Sequence, residues 1–128
     1  MSLLIIGDPS VSKLEQGRII WTELPSSDGT TKKRRPAVIV TPTEKIVSGK
    51  FFAVVAGTTK FTEPLPADQI HLPWQREGKV RTQLRQPTVA VCSWVGKILE
   101  ADVLQYGGVV PPKVMIEILK IVEQQPGE

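Results

Sequence analysis

The sequence predicts a small, mainly β domain, an antiparallel β-barrel or α+β fold carrying one C-terminal helix. Two observations predict it. Short β-branched runs recur through the first hundred residues, each bounded by Pro, Gly, Ser or Asp. The one clear helical periodicity, at residues 111–124, comes after all of them. A length of 128 residues suits one domain over residues 1–128, burying roughly two-thirds of its unfolded surface.

Taken in order, residues 1–16 read as a polar lead-in, and its apolar patch at residues 3–6 is too short for a membrane span or a signal sequence. Residues 17–24 alternate and form the first expected strand, followed by a loop at 25–31 rich in turn residues. Four cations, Lys32, Lys33, Arg34 and Arg35, then sit on a loop at the mouth of a strand that begins at Pro36 and is stopped by Pro42. Residues 50–56 are apolar on both faces and so central, with Gly57, Thr58, Thr59 and Lys60 at their mouth. A short strand is expected at 68–72 and a basic loop at 74–86. Residues 88–95 form another strong strand, closed by Gly96. In the final helix Lys113, Glu117, Lys120 and Gln124 mark one polar stripe, and the remaining circumference is apolar. Such a helix docks on the sheet or is shared with a second chain.

Composition excludes more than it selects. Apolar and charged fractions of 41% and 23% are ordinary for a soluble protein. The single cysteine, Cys92, forbids an internal disulfide and, with one histidine, leaves little scope for a Cys/His metal site. A reducing, cytoplasmic setting fits this usage. Net charge is only +3, but its distribution is uneven. Residues 32–35 and 76–85 hold eight of sixteen cations against one acid, Glu77. Folded onto one face, these segments make an anion-binding surface; left apart, they are two solvated loops.

His71 lies between Ile70 and Leu72 and reads as structural, which removes two-histidine acid–base chemistry and any triad built on that imidazole. Cys92 lies mid-strand among apolar neighbours, where a thiol is inert. No phosphate-binding glycine pattern occurs. What remains is Arg35 at one strand mouth, Thr58 and Thr59 at another, and the basic loop. As a pair of residues after a strand, the threonines need be no more than a turn. With Arg35, they suit phosphodiester chemistry in which the 2′-hydroxyl of RNA is the nucleophile and the protein stabilises charge on the phosphoryl oxygens. No metal or cofactor is called for. Of the tryptophans, Trp21 and Trp94 fall in expected strands and read as core, whereas Trp74 is the better candidate for stacking on a base.

Gly17-Arg18-Ile19-Ile20-Trp21, then Arg35-Pro36-Ala37-Val38-Ile39-Val40, then Phe52-Ala53-Val54-Val55-Ala56-Gly57-Thr58-Thr59 resemble, in that order, the MazF/PemK-type toxins of bacterial toxin–antitoxin modules. The resemblance covers residues 15 to 123. It implies an SH3-like, PemK-like barrel, a homodimer, and sequence-selective, metal-independent cleavage of single-stranded RNA to 2′,3′-cyclic phosphate and 5′-hydroxyl ends. It also implies neutralisation by a small antitoxin whose acidic tail covers the RNA site. By motif position Arg35 and Thr58 correspond to the family's catalytic pair; from their charge and placement, Lys32, Lys33, Arg34, Lys60, Arg81 and Arg85, with Thr59 and Trp74, are the residues expected to hold the RNA. Many relatives carry an Asp-Gln pair on the strand at 88–95. Ser93-Trp94 stand there in one alignment, and Arg81-Thr82-Gln83 in another; neither restores the acid. That departure keeps a second reading open, a non-catalytic nucleic-acid binder or a CcdB-like, gyrase-targeting protein of the same fold.

Overall fold

The structure, a computed structural model, describes residues 13–25 and 30–124. Most of the lead-in (1–12) and part of the expected first loop (26–29) lie outside the described residues. Six strands run in chain order: β1 (Arg18–Pro25), β2 (Lys32–Ile39), β3 (Phe52–Thr58), β4 (Gln69–Leu72), β5 (Thr88–Ile98) and β6 (Gln105–Val109). One helix, α1 (Pro112–Gln124), follows. The strands form a curled antiparallel sheet of order β4-β5-β3-β2-β1-β6, so β3 is central, as its two-sided apolar sequence requires.

Alternation along each strand builds two cores. On one face Ile19, Val38, Val55, Ala90 and Cys92 join Met115 and Ile118 of α1. Fully burying a side chain such as Ile118 is worth about 1.5–3 kcal/mol. The helix's Lys113, Glu117, Lys120 and Gln124 are all exposed, the polar stripe expected of them. On the opposite face Ile20, Leu24, Ala37, Ile39, Val54 and Ala56 pack together, with Trp94 and Leu14 against them.

Three expectations need correction. Lys32 to Arg35 are not on a loop leading to Pro36: they belong to β2, each with a register partner on β1 from Pro25↔Lys32 to Thr22↔Arg35. Pairing through a hairpin overrides the usual reading of Pro as a strand start. Pro36, which has no N–H, stands one residue before the β2–β3 ladder begins at Ala37↔Ala56. Second, Gly96 does not close β5, which runs on to Ile98 with Gly96 opposite Val54. The register jumps from Ala56↔Val91 to Val55↔Val95, so residues 92–94 bulge out of the ladder. Third, residues 105–109, to which the sequence reading assigns no element, form β6, an edge strand on β1.

The open side of the sheet is bridged by the segment between β4 and β5. Gly108 and Val109 on β6 donate backbone hydrogen bonds to the carbonyls of Thr82 (3.0 Å) and Arg81 (2.8 Å). Thr82 is buried, its hydroxyl donating to Pro73 O at 2.6 Å and accepting from Leu84 N at 3.2 Å. Only glycine fits at 108: an added Cβ would overlap the Arg81 carbonyl oxygen and stand 2.6 Å from the Thr82 carbonyl carbon.

Candidate functional site

The β2–β3 ladder ends at Ala37↔Ala56, and extending its register by two residues sets Arg35 across from Thr58. Both side chains fall on the face that carries Ala37, Ile39, Val54 and Ala56. They line one cleft of about 430 Å³ with Lys33, Arg34, Thr59 and Lys60, and with Trp21, Pro36, Gly57 and Gln86 completing the wall. Four of the ten lining residues are cations and none is an acid. A concave, cationic wall without a carboxylate attracts anions and has no internal counter-charge to release first.

Arg35 is half-buried. Its guanidinium carbon lies 4.9 Å from the centre of the Trp94 ring, and its Nε is buried with no hydrogen-bond partner. The β5 bulge is what carries Trp94 to this position. An aromatic face holds a guanidinium flat while leaving its N–H edge unspent, unlike a carboxylate, which would consume two donors. Arg34, on the opposite side of β2, stacks over Trp21 at 4.7 Å and donates to the side-chain carbonyl of Gln105. The Thr58 hydroxyl accepts from Lys60 N at 3.0 Å, and its own proton has only a 3.4 Å bond to Lys60 O. That proton is available to a better acceptor.

A second hollow of about 280 Å³ adjoins the cleft, sharing Trp21, Arg34 and Gln86 and adding Arg85 and Gln105. Arg85 is braced by its Nε bond to Arg76 O at 3.2 Å. The two basic segments therefore do meet on one surface, through Arg34 and Arg85. Three residues expected there do not line either hollow. Lys32 lines a separate cavity with Glu23, Lys97 and Asp102, because it stands at the far end of β2, opposite Pro25. Trp74 is exposed, and Arg81 is exposed with its carbonyl tied to β6, and neither lines the cleft.

His71 is exposed on β4, its Nε2 2.7 Å from Glu63 and its ring edge-on to Phe61 at 5.4 Å between centres. Cys92 is buried, and burial, with the Asp68 charge adding to it, pushes its thiol up to about 11, so it stays protonated at neutral pH. Ser93 bonds to the Asp68 carboxylate, outside the cleft. The sequence reading missed Trp94, Gln86 and Gln105. Gln86 and Gln105 carry no local signal, and Trp94 carries one that points to core; only the bulge and the strand order bring it under Arg35.

A family model described as PemK-like, MazF-like toxin of type II toxin–antitoxin system matches residues 15–125. No curated protein matches the sequence. Solved structures share the fold at low identity. MazF (form I) from Deinococcus radiodurans is 14% identical with a TM-score of 0.66, covering 85% of this chain and 92% of its own. An endoribonuclease from Mycobacterial species is 13% identical with a TM-score of 0.64, covering 89% and 96%. An endoribonuclease in complex with its cognate antitoxin, from Mycobacterial species, is 14% identical with a TM-score of 0.58, covering 90% and 99%.

Proposed function

The chain belongs to the PemK-like, MazF-like toxin family of type II toxin–antitoxin systems, and from that membership we propose that it is an endoribonuclease cleaving single-stranded RNA without a metal ion. The observation that carries the reading is the cleft itself: a guanidinium with an unpaired buried donor and a threonine hydroxyl, from adjacent strands, lining one acid-free hollow. The scissile phosphate sits against both. The 2′-hydroxyl on its 5′ side attacks phosphorus and gives its proton to solvent. The 5′-oxygen leaves and takes a proton from solvent, giving a 2′,3′-cyclic phosphate and a 5′-hydroxyl. Arg35 donates to the non-bridging oxygens as their charge grows, and Thr58 donates a further hydrogen bond. Lys33, Arg34, Lys60 and Arg85 hold flanking phosphates.

Trp94 acts through Arg35 as a positioning residue. Trp94→Leu should lower kcat about 10-fold, within the range of a partly desolvated cation–π contact, and leave KM for RNA nearly unchanged. Trp94→Phe should recover most of the rate; unchanged kcat in the leucine variant would remove this role. RNA affinity should drop roughly 50-fold between 50 and 200 mM salt if about four phosphates are neutralised on a single strand. A flat response would argue against these cations as the RNA surface.

The missing carboxylate supports a second reading, a non-catalytic binder of the same fold. Incubating the protein with long mixed-sequence RNA in EDTA separates the two. Discrete fragments with cyclic-phosphate ends support the nuclease; protected, intact RNA supports the binder; neither outcome leaves a protein target such as gyrase. The natural inhibitor is an antitoxin with an acidic segment lying in the cationic cleft. A homodimer uses apolar surface such as Ile116 and Leu104, both more than half exposed. Among the described residues no helix is long and apolar enough to cross a membrane, and action on mRNA places the protein in the cytoplasm.

A further inference from the structure

Trp94 reaches Arg35 only because residues 92–94 leave the β3–β5 ladder, and a bulge aims a side chain only as well as it is itself held. On its β4 side two hydrogen bonds hold it, both to Asp68: Cys92 N donates to the Asp68 carbonyl oxygen at 2.8 Å, and the Ser93 hydroxyl donates to the Asp68 carboxylate. The two residues gripped are the ones directly before Trp94. Asp68 is a firm anchor for them. It stands one residue before β4, whose first pair is Gln69↔Val91, in a turn closed by Gln69 N donating to Pro66 O at 3.1 Å. Among the described residues its carboxylate has no ion-pair partner. Its charge is directed at a hydroxyl of the bulge, and a hydrogen bond to an ionised acceptor is roughly twice as strong as a neutral one.

We propose that Asp68 is a positioning residue of the cleft: by gripping Cys92 and Ser93 it fixes the bulge that sets Trp94 against Arg35, and so aims the guanidinium at the phosphate. The kinetic consequence rests on the nuclease reading; the placement of Trp94 does not. Asp68 lines neither the cleft nor the hollow that adjoins it through Arg34 and Trp21, so its effect passes through Trp94 rather than through RNA. Arg35 Nε has no hydrogen-bond partner, and the Trp94 ring is what steadies the guanidinium. A bulge released from Asp68 lets that ring drift, and a reacting group displaced by a fraction of an ångström loses rate.

Asp68→Ala should lower kcat about 5-fold at nearly unchanged KM, less than Trp94→Leu because the ring is loosened rather than removed. Asp68→Asn keeps an acceptor for Ser93 and should recover most of the rate. Ser93→Ala, which spares the Cys92 bond, should reproduce part of the loss. In a Trp94→Leu background Asp68→Ala should cause no further fall, since both act along one chain of contacts. A second readout does not depend on cleavage. With 5-fluorotryptophan incorporated, the Trp94 fluorine signal, assigned with Trp94→Phe, should shift and broaden in Asp68→Ala and in Ser93→Ala, while those of Trp21 and Trp74 stay in place. Should Asp68→Ala fail to fold, Ser93→Ala carries the comparison. A Trp94 signal unmoved in these variants, or a rate loss undiminished in the Trp94→Leu background, would overturn the proposal, even with a lowered melting temperature. If the wild-type protein cuts no RNA, the nuclease reading fails and the fluorine signal alone decides whether Asp68 sets Trp94.

Discussion

Replacing Arg35 with alanine should lower the rate of RNA cleavage about 10²–10³-fold, the scale of losing one preorganised donor from a transition state. No neighbour can take over. Arg34 lines the same cleft, but its guanidinium is held over Trp21 and bonded to Gln105, on the opposite face of β2 from Arg35. Lys33 and Lys60 line the same cleft, but an ammonium is a point charge and lacks the planar fork that meets two phosphoryl oxygens together. Arg35→Lys should therefore recover only a small part of the loss. RNA affinity should fall much less than the rate, since one of about four phosphate contacts is removed. A single-turnover assay at saturating protein separates the two, and wild-type cleavage by Arg35→Ala would show that the arginine is not catalytic.

Gly108→Ala should destabilise the fold by about 3 kcal/mol or more and lower the melting temperature by roughly 10 °C. The methyl group would collide with backbone, the Arg81 carbonyl and the Thr82 carbonyl carbon, which cannot rotate away as a side chain could. Relief requires the 81–82 segment to lift from β6, breaking the bonds from Gly108 N and Val109 N. Thermal unfolding followed by circular dichroism measures it; an unchanged midpoint would mean that the segment yields freely. RNA binding should weaken as well, because Arg85 and Gln83 are carried by the same segment.

Much of the architecture was legible from local chemistry. β1, β3, β4 and α1 announce themselves through periodicity bounded by Pro and Gly, and the helix's polar stripe lies on the exposed side. Arg35 and Thr58 could be named because each stands near the end of an apolar run. The rest depends on long-range pairing. Nothing around residue 94 shows that a three-residue bulge will set its indole under an arginine sixty residues earlier in the chain. Nothing in Gly107-Gly108 shows an edge strand, because its reason for glycine is a partner segment some twenty-five residues upstream. The cations at 32–35 looked like a loop because high charge and Pro36 disfavour strands locally, yet a hairpin partner on β1 was enough to extend them.

The position of β6 bears on when the protein becomes active. It pairs with β1, and its Gln105 holds Arg34, so the wall beside the cleft is supplied by residues translated long after Arg35 and Thr58. A ribosome elongating this chain thus carries both reactive side chains while the wall beside them is still unmade. On the proposed nuclease reading, the surface beside Arg35 and Thr58 is therefore completed only near the end of synthesis.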